Sequence, residues 1–108
     1  MKYTLEDAKR LVRERIEEVG PDFSYEIPGG DFGICANWVY DDEGKRQPSC
    51  LVGHVLHKIG KLDVLTAEEE FNNASTTCSA YFDEDAVEYL TLVQTRQDRG
   101  MKYGDLGA

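Results

Sequence analysis

The sequence predicts an α+β fold: a small antiparallel β-meander of two or three strands packed with three or four helices. Three observations lead there. The first twenty residues carry apolar side chains at helical spacing. Residues 23–47 switch to period-two alternation broken by turn residues. Helical patterns then return, at residues 50–59 and 83–99.

The first helix is the clearest element. Thr4 is the predicted N-cap, with Asp7 three residues on in a capping-box position. Leu5, Ala8, Val12, Ile16 and Val19 form one narrow apolar stripe. Glu6/Arg10, Arg10/Glu14 and Arg13/Glu17 lie four apart and support the exposed face. Gly20 followed by Pro21 ends the helix.

Phe23, Tyr25 and Ile27 alternate with polar residues and suggest a short strand, closed by the turn Pro28-Gly29-Gly30-Asp31. Ile34, Ala36, Trp38 and Tyr40 suggest a second strand, with Trp38 directed inward. Asp41-Asp42-Glu43-Gly44 is a hairpin tip, and residues 45–47 form a brief third strand. Such a meander is marginal alone and needs helices over its apolar face.

Pro48 and Ser49 lead into the second helix, residues 50–59, with Gly60 as the C′ residue. Thr66 is an N-cap candidate for a short helix over residues 67–71, and residues 72–79 read as loop. Asp83 opens the last helix, which buries Ala86, Tyr89, Leu90 and Val93 and runs to about Arg99. The acids at 68–70 and 83–85 fall in predicted first turns, where negative charge complements the helix dipole; Arg96 and Arg99 do the same at the far end. A loose tail is expected after Lys102.

With 108 residues and 41% hydrophobic composition, the chain reads as a single domain, residues 1–108, able to build its own core. No apolar run approaches the roughly 20 residues of a membrane span. Three cysteines, Cys35, Cys50 and Cys78, without an apolar leader suggest reduced thiols in a cytoplasmic protein. The formal net charge of −9 disfavours nucleic acid and anionic membrane as partners. It suits solubility, an acidic face docking on a basic protein surface, or mimicry of nucleic acid. The acids at the hairpin tip, Asp41, Asp42 and Glu43, are not explained by helix ends and are candidate contact residues.

The second helix carries the main chemical candidates. At about 100° per residue, Cys50, Gly53, His54 and His57 share one side, opposite Leu51, Val52, Val55 and Ile59. One reading is a metal site completed by Cys35 or Cys78, since thiolate and imidazole are zinc ligands, although no zinc-finger spacing or Cys-x-x-Cys pair is present. Another is a Cys50 nucleophile at a helix N-terminus, as in papain-like peptidases. Here, however, both histidines lie on the same helix as the thiol, which hinders an independently oriented base. The third is that Cys50 packs and Gly53, His54 and His57 form a flat contact face. Asp31-Phe32-Gly33 matches a kinase triplet by letters only, and Gly29-Gly30 lacks the lysine of a phosphate loop.

Residues 35–60, with Trp38-Val39-Tyr40, a charged turn and Pro48-Ser49-Cys50-Leu51-Val52-Gly53-His54-Val55-Leu56, resemble small proteins encoded by actinobacteriophages and their hosts. The closing Gln94-Thr95-Arg96-Gln97-Asp98-Arg99-Gly100 is similar to their last helix. The resemblance implies no activity; it implies a phage-type accessory protein made in a bacterial cytoplasm. The expectation is a non-enzymatic interaction protein that binds a bacterial host protein or itself as a homodimer, without cofactor or metal. The alternative is a small-ligand or metal-binding protein using Cys50, His54 and His57.

Overall fold

A computed structural model describes residues 2–25, 37–66 and 77–106. Their order is α1 (Leu5–Val19), β1 (Trp38–Tyr40), β2 (Arg46–Pro48), α2 (Leu51–Lys58), a 3-10 turn (Leu62–Val64), α3 (Glu84–Asp98) and a closing 3-10 turn (Tyr103–Asp105). This is the expected small α+β fold.

The α1 capping box forms as its sequence implies. Thr4 Oγ1 accepts from the Asp7 N–H at 3.2 Å, and Asp7 Oδ2 accepts from the Thr4 N–H at 3.0 Å. Hydrogen bonding from Thr4, its backbone N–H first, holds the Asp7 carboxyl below its ordinary range. The buried stripe is wider than expected. Leu11 joins Ala8 and Val12 inside, because α1 packs on α2 along one flank and α3 along the other. Ahead of α1, the chain runs extended: Tyr3 donates to the Tyr81 carbonyl and accepts from the Asp83 N–H, both at 2.8 Å, in an isolated parallel bridge to Phe82.

The strand expected over residues 23–27 does not form in its described part, and the tail after Lys102 is not loose. The two departures have one cause. Tyr103 donates from its N–H to the Phe23 carbonyl and Gly104 to the Pro21 carbonyl, each at 2.8 Å. The Tyr103 and Phe23 rings meet edge to face with centroids 4.9 Å apart. Arg96 Nη1 donates to the Leu106 carbonyl at 2.9 Å, and Tyr103 and Leu106 are buried. The closing segment thus takes the hydrogen bonds that a sheet neighbour would have used. The expected turn at 28–31, the first part of the second strand at 34–36 and the helix at 67–71 lie outside the described residues.

The hairpin is antiparallel, with Trp38 opposite Pro48, Val39 opposite Gln47 and Tyr40 opposite Arg46. Trp38 is fully buried, as expected. The Arg46 guanidinium lies 3.9 Å from the centre of its ring, and Nη1 donates to the carbonyls of Leu62 and Leu65 at 3.0 and 2.7 Å. One arginine therefore ties the hairpin to the connector behind α2.

Both α2 and α3 end in Schellman motifs. Gly60 donates to the His57 carbonyl and Lys61 to that of Leu56; Gly100 donates to Gln97 and Met101 to Arg96. Each motif needs a left-handed C′ residue, and Gly60 and Gly100 supply φ of 74° and 82°. Helix α2 is the centre of the fold, packed on α1, α3, β2 and the first 3-10 turn. Leu51, Val52, Val55 and Leu56 join Trp38, Phe82, Leu90, Val93 and Tyr103 in one contiguous core.

Candidate functional site

The predicted Cys/Gly/His face of α2 is divided by the fold. Cys50 is the N-cap residue and is fully buried. Its Sγ accepts from the Gly53 N–H and donates to Asn37 Oδ1, each at 3.4 Å. Gly53 is buried too: a Cβ there would land on the Asn37 backbone carbonyl. Cys50 and Gly53 thus form the seat for the strand entering β1, and the expectation of Gly53 as part of an open contact face is corrected. The reason is close approach: only a residue without a side chain lets the Asn37 backbone lie on the helix.

His54 is half-buried and His57 is exposed. Cys50, occupied as a cap and sealed from solvent, does not join them in a ligand set. No group of three metal-binding side chains comes together among the described residues. Cys78 is likewise buried, and burial pushes its thiol up to about 12. Such a thiol stays protonated and unreactive at neutral pH. Cys35 lies outside the described residues.

At the hairpin tip, Asp41 is a turn residue. Its Oδ1 accepts from the N–H groups of Glu43 and Lys45, both at 2.9 Å, and its Oδ2 accepts from Gln47 Nε2 at 3.0 Å. These bonds hold the carboxyl below the ordinary aspartate range. Asp42 and Glu43 are exposed, and Glu43 stands 3.7 Å from Lys45 Nζ. The three acids are not equivalent: Asp41 builds the turn, and the other two are presented to solvent.

The structure gathers a different set of residues beside His54. A cleft of about 600 Å³ is lined by Arg15, Phe23, Ser24, Tyr25, Val39, Pro48, Ser49 and His54. Tyr25 and Ser49 share a hydrogen bond of 2.7 Å between hydroxyls. The Ser49 N–H is held by the Asn37 carbonyl at 3.2 Å. Burial, with the Arg15 charge beside it, lowers His54 to about 4, so the imidazole is neutral at physiological pH. Arg15 keeps only 20% of its side chain exposed, and its Nε is buried with no hydrogen-bond partner among the described residues. Its Nη1 is 3.8 Å from Glu18, whereas Lys58 Nζ approaches the same carboxylate to 3.0 Å. A second hollow of about 730 Å³ lies on the hairpin at Tyr40, Gly44, Lys45, Arg46, Gln47 and Asp63.

Of this cleft's described lining, only His54 stands out in the sequence as a candidate functional residue. Arg15 stands four residues after buried Leu11, so the two share a flank of α1. An arginine on the margin of an apolar stripe was the available signal. Phe23, Tyr25 and Ser49 carried none, because the closing segment and the Asn37 backbone place them. No family model matches the chain, and no curated protein or solved structure is significantly similar to it.

Proposed function

We propose that the chain is a non-enzymatic binding protein that engages another protein through the outer side of its hairpin. The observation that carries the reading is the pair Val39 and Tyr40, adjacent on β1 and 40% and 56% exposed. Hollows border them on both sides, one lined by Val39 and the other by Tyr40. Apolar and aromatic side chains standing beside concave ground are what protein interfaces use as anchors. Among the described residues β1 pairs only with β2, so its backbone adds a further means of attachment. A bacterial host protein or a second copy of the chain is the partner this reading names. A phage-type accessory role in a bacterial cytoplasm is supported by the likeness of residues 35–60 alone.

The test compares the wild type with a Val39→Asp/Tyr40→Asp double variant of unchanged helical circular dichroism. Light scattering reads self-association, and capture from bacterial lysate reads a foreign partner. The reading expects one of the two in the wild type and its loss in the variant. A monomer that captures nothing, or a partner retained by the variant, overturns it.

A further inference from the structure

We propose that the outward side of α3 is a self-association surface, on which two copies of the chain pair their α3 helices antiparallel across Leu92. Asp85, Glu88, Leu92, Thr95 and Arg99 are all exposed. Their spacing, alternately three and four residues, lays them in one stripe along the helix. Leu92 keeps 47% of its surface in solvent. Asp85 and Arg99 each stand seven residues from it, on opposite sides. At about 1.5 Å per residue, that places an acid and a base about 10 Å either way from the leucine. A two-fold axis through Leu92 therefore sets Asp85 against the partner's Arg99, and Leu92 against the partner's Leu92. Glu88 falls at the level of the partner's Arg96, which is half-buried in its own chain.

The helix dipole accounts for acids in the first turn and a base at the end. It does not account for a leucine exposed midway between them, nor for Glu88, which lies beyond the first turn. The Thr95 hydroxyl donates to the Thr91 carbonyl at 2.9 Å. Beside Leu92 the stripe thus offers no hydroxyl proton that burial would strand. A parallel pairing would oppose acid to acid and base to base, so charge selects the antiparallel one and makes the stripe complementary to itself. One leucine flanked by charge pairs is a small contact, so the dimer is a weak one, forming at about 0.1–1 mM. It uses a different element from the hairpin and goes beyond the protein-binding reading.

Sedimentation equilibrium of the full chain from about 10 µM to about 1 mM reads the dimer. At about 0.15 M salt the net charge of −9 is screened beyond about 8 Å while contacting charges still act. Leu92→Glu sets two like charges at the axis and is expected to abolish association with helical circular dichroism unchanged. Asp85→Lys and Arg99→Glu are each expected to weaken it about fivefold or more, because each opposes like charges at both ends of the contact. Mixed together, these two variants regain opposite charges at both ends, and their mixed dimer is expected to bind within about twofold of the wild type. A loss of helix stability would not recover on mixing. The hairpin variant made in the Leu92→Glu background is read without this contact, so either surface can fail alone. A wild type monomeric at about 1 mM, association that survives Leu92→Glu, or a mixture no tighter than its components overturns the proposal. A foreign protein captured through Leu92 in place of a second copy overturns the choice of partner.

Discussion

Gln97 of α3 closes the N-terminus of α2: its Oε1 accepts from the Leu51 N–H at 2.7 Å and from the Tyr103 hydroxyl at 3.0 Å. One side chain thus joins the central helix, the last helix and the closing segment. Helix N-termini leave N–H groups without intrahelical partners, and this one is buried where water cannot serve. Gln97→Leu keeps the volume and removes the acceptor, so it is expected to cost about 1–3 kcal/mol in urea unfolding. Tyr103→Phe is expected to cost about 1 kcal/mol, with the two effects less than additive because they share an oxygen. A Gln97→Leu variant as stable as the wild type would show that the contact is not a cap in solution.

Gly53, inside α2, and Gly60, just past its end, are needed for different reasons. Gly60 has φ of 74° and open space around a notional Cβ, so Gly60→Ala meets only backbone strain of about 1–2 kcal/mol. Gly53 has no such φ, but its Cβ position is filled by the Asn37 carbonyl. Gly53→Ala is expected to cost about 3 kcal/mol or more, because backbone and not a flexible side chain must move. Thermal unfolding followed by circular dichroism orders the two, and equal costs would contradict this packing.

The elements that local physics decides were legible before any coordinates. The Thr4–Asp7 box, the 41–44 turn, Gly60 as a C′ residue and the buried face of Ala86, Leu90 and Val93, with Tyr89 half-buried at its edge and not inside it as expected, all rest on residues within a few positions of one another. What was not legible is long-range. Residues 23–25 alternate like a strand, but their backbone partner is Tyr103, some eighty positions away. Gln97 reads as an exposed polar residue until Leu51 is placed beneath it. The same holds for α2: periodicity groups Cys50, Gly53, His54 and His57, whereas the Asn37 side chain bonds the first and its backbone covers the second. The cleft was hidden because its wall is assembled from four separate stretches of chain, of which only His54 stood out.

Sealing of the thiols predicts their chemistry. Cys50 and Cys78 are both buried, the first bonded to Asn37 and the second raised to about 12. In the folded protein both are expected to resist a thiol-specific alkylating reagent and to react only as the chain unfolds. Peptide mapping by mass spectrometry after alkylation distinguishes them from Cys35. Rapid labelling of Cys50 under native conditions would show that the turn between Asn37 and Gly53 opens, and would return a nucleophilic role to consideration. Cys50→Ser should fold, since a hydroxyl replaces both thiol contacts, whereas Cys50→Ala loses the cap at about 1 kcal/mol.

His54 makes stability depend on pH in a defined window. Its imidazole falls from an ordinary 6.5 to about 4 through burial and the Arg15 charge, with His57 and Lys58 acting in the same sense and Glu18 opposing. Between those values the unfolded chain binds the proton that the folded chain refuses. Stability from this group is therefore complete above about pH 6.5 and declines as pH falls toward about 4. The lowered carboxyls of Asp7, Glu18 and Asp41 contribute above their ordinary values of 3.8, 4.5 and 3.8 and lose that contribution only below them, so pH 5 lies above their window. Unfolding at pH 7 and pH 5 is expected to differ by about 1 kcal/mol on account of His54, allowing for solvent screening of a half-exposed group. In His54→Gln that slope should flatten whatever the variant's absolute stability. A variant with the wild-type slope would place the imidazole in open solvent, and the wall of the cleft that it forms would have to be redrawn.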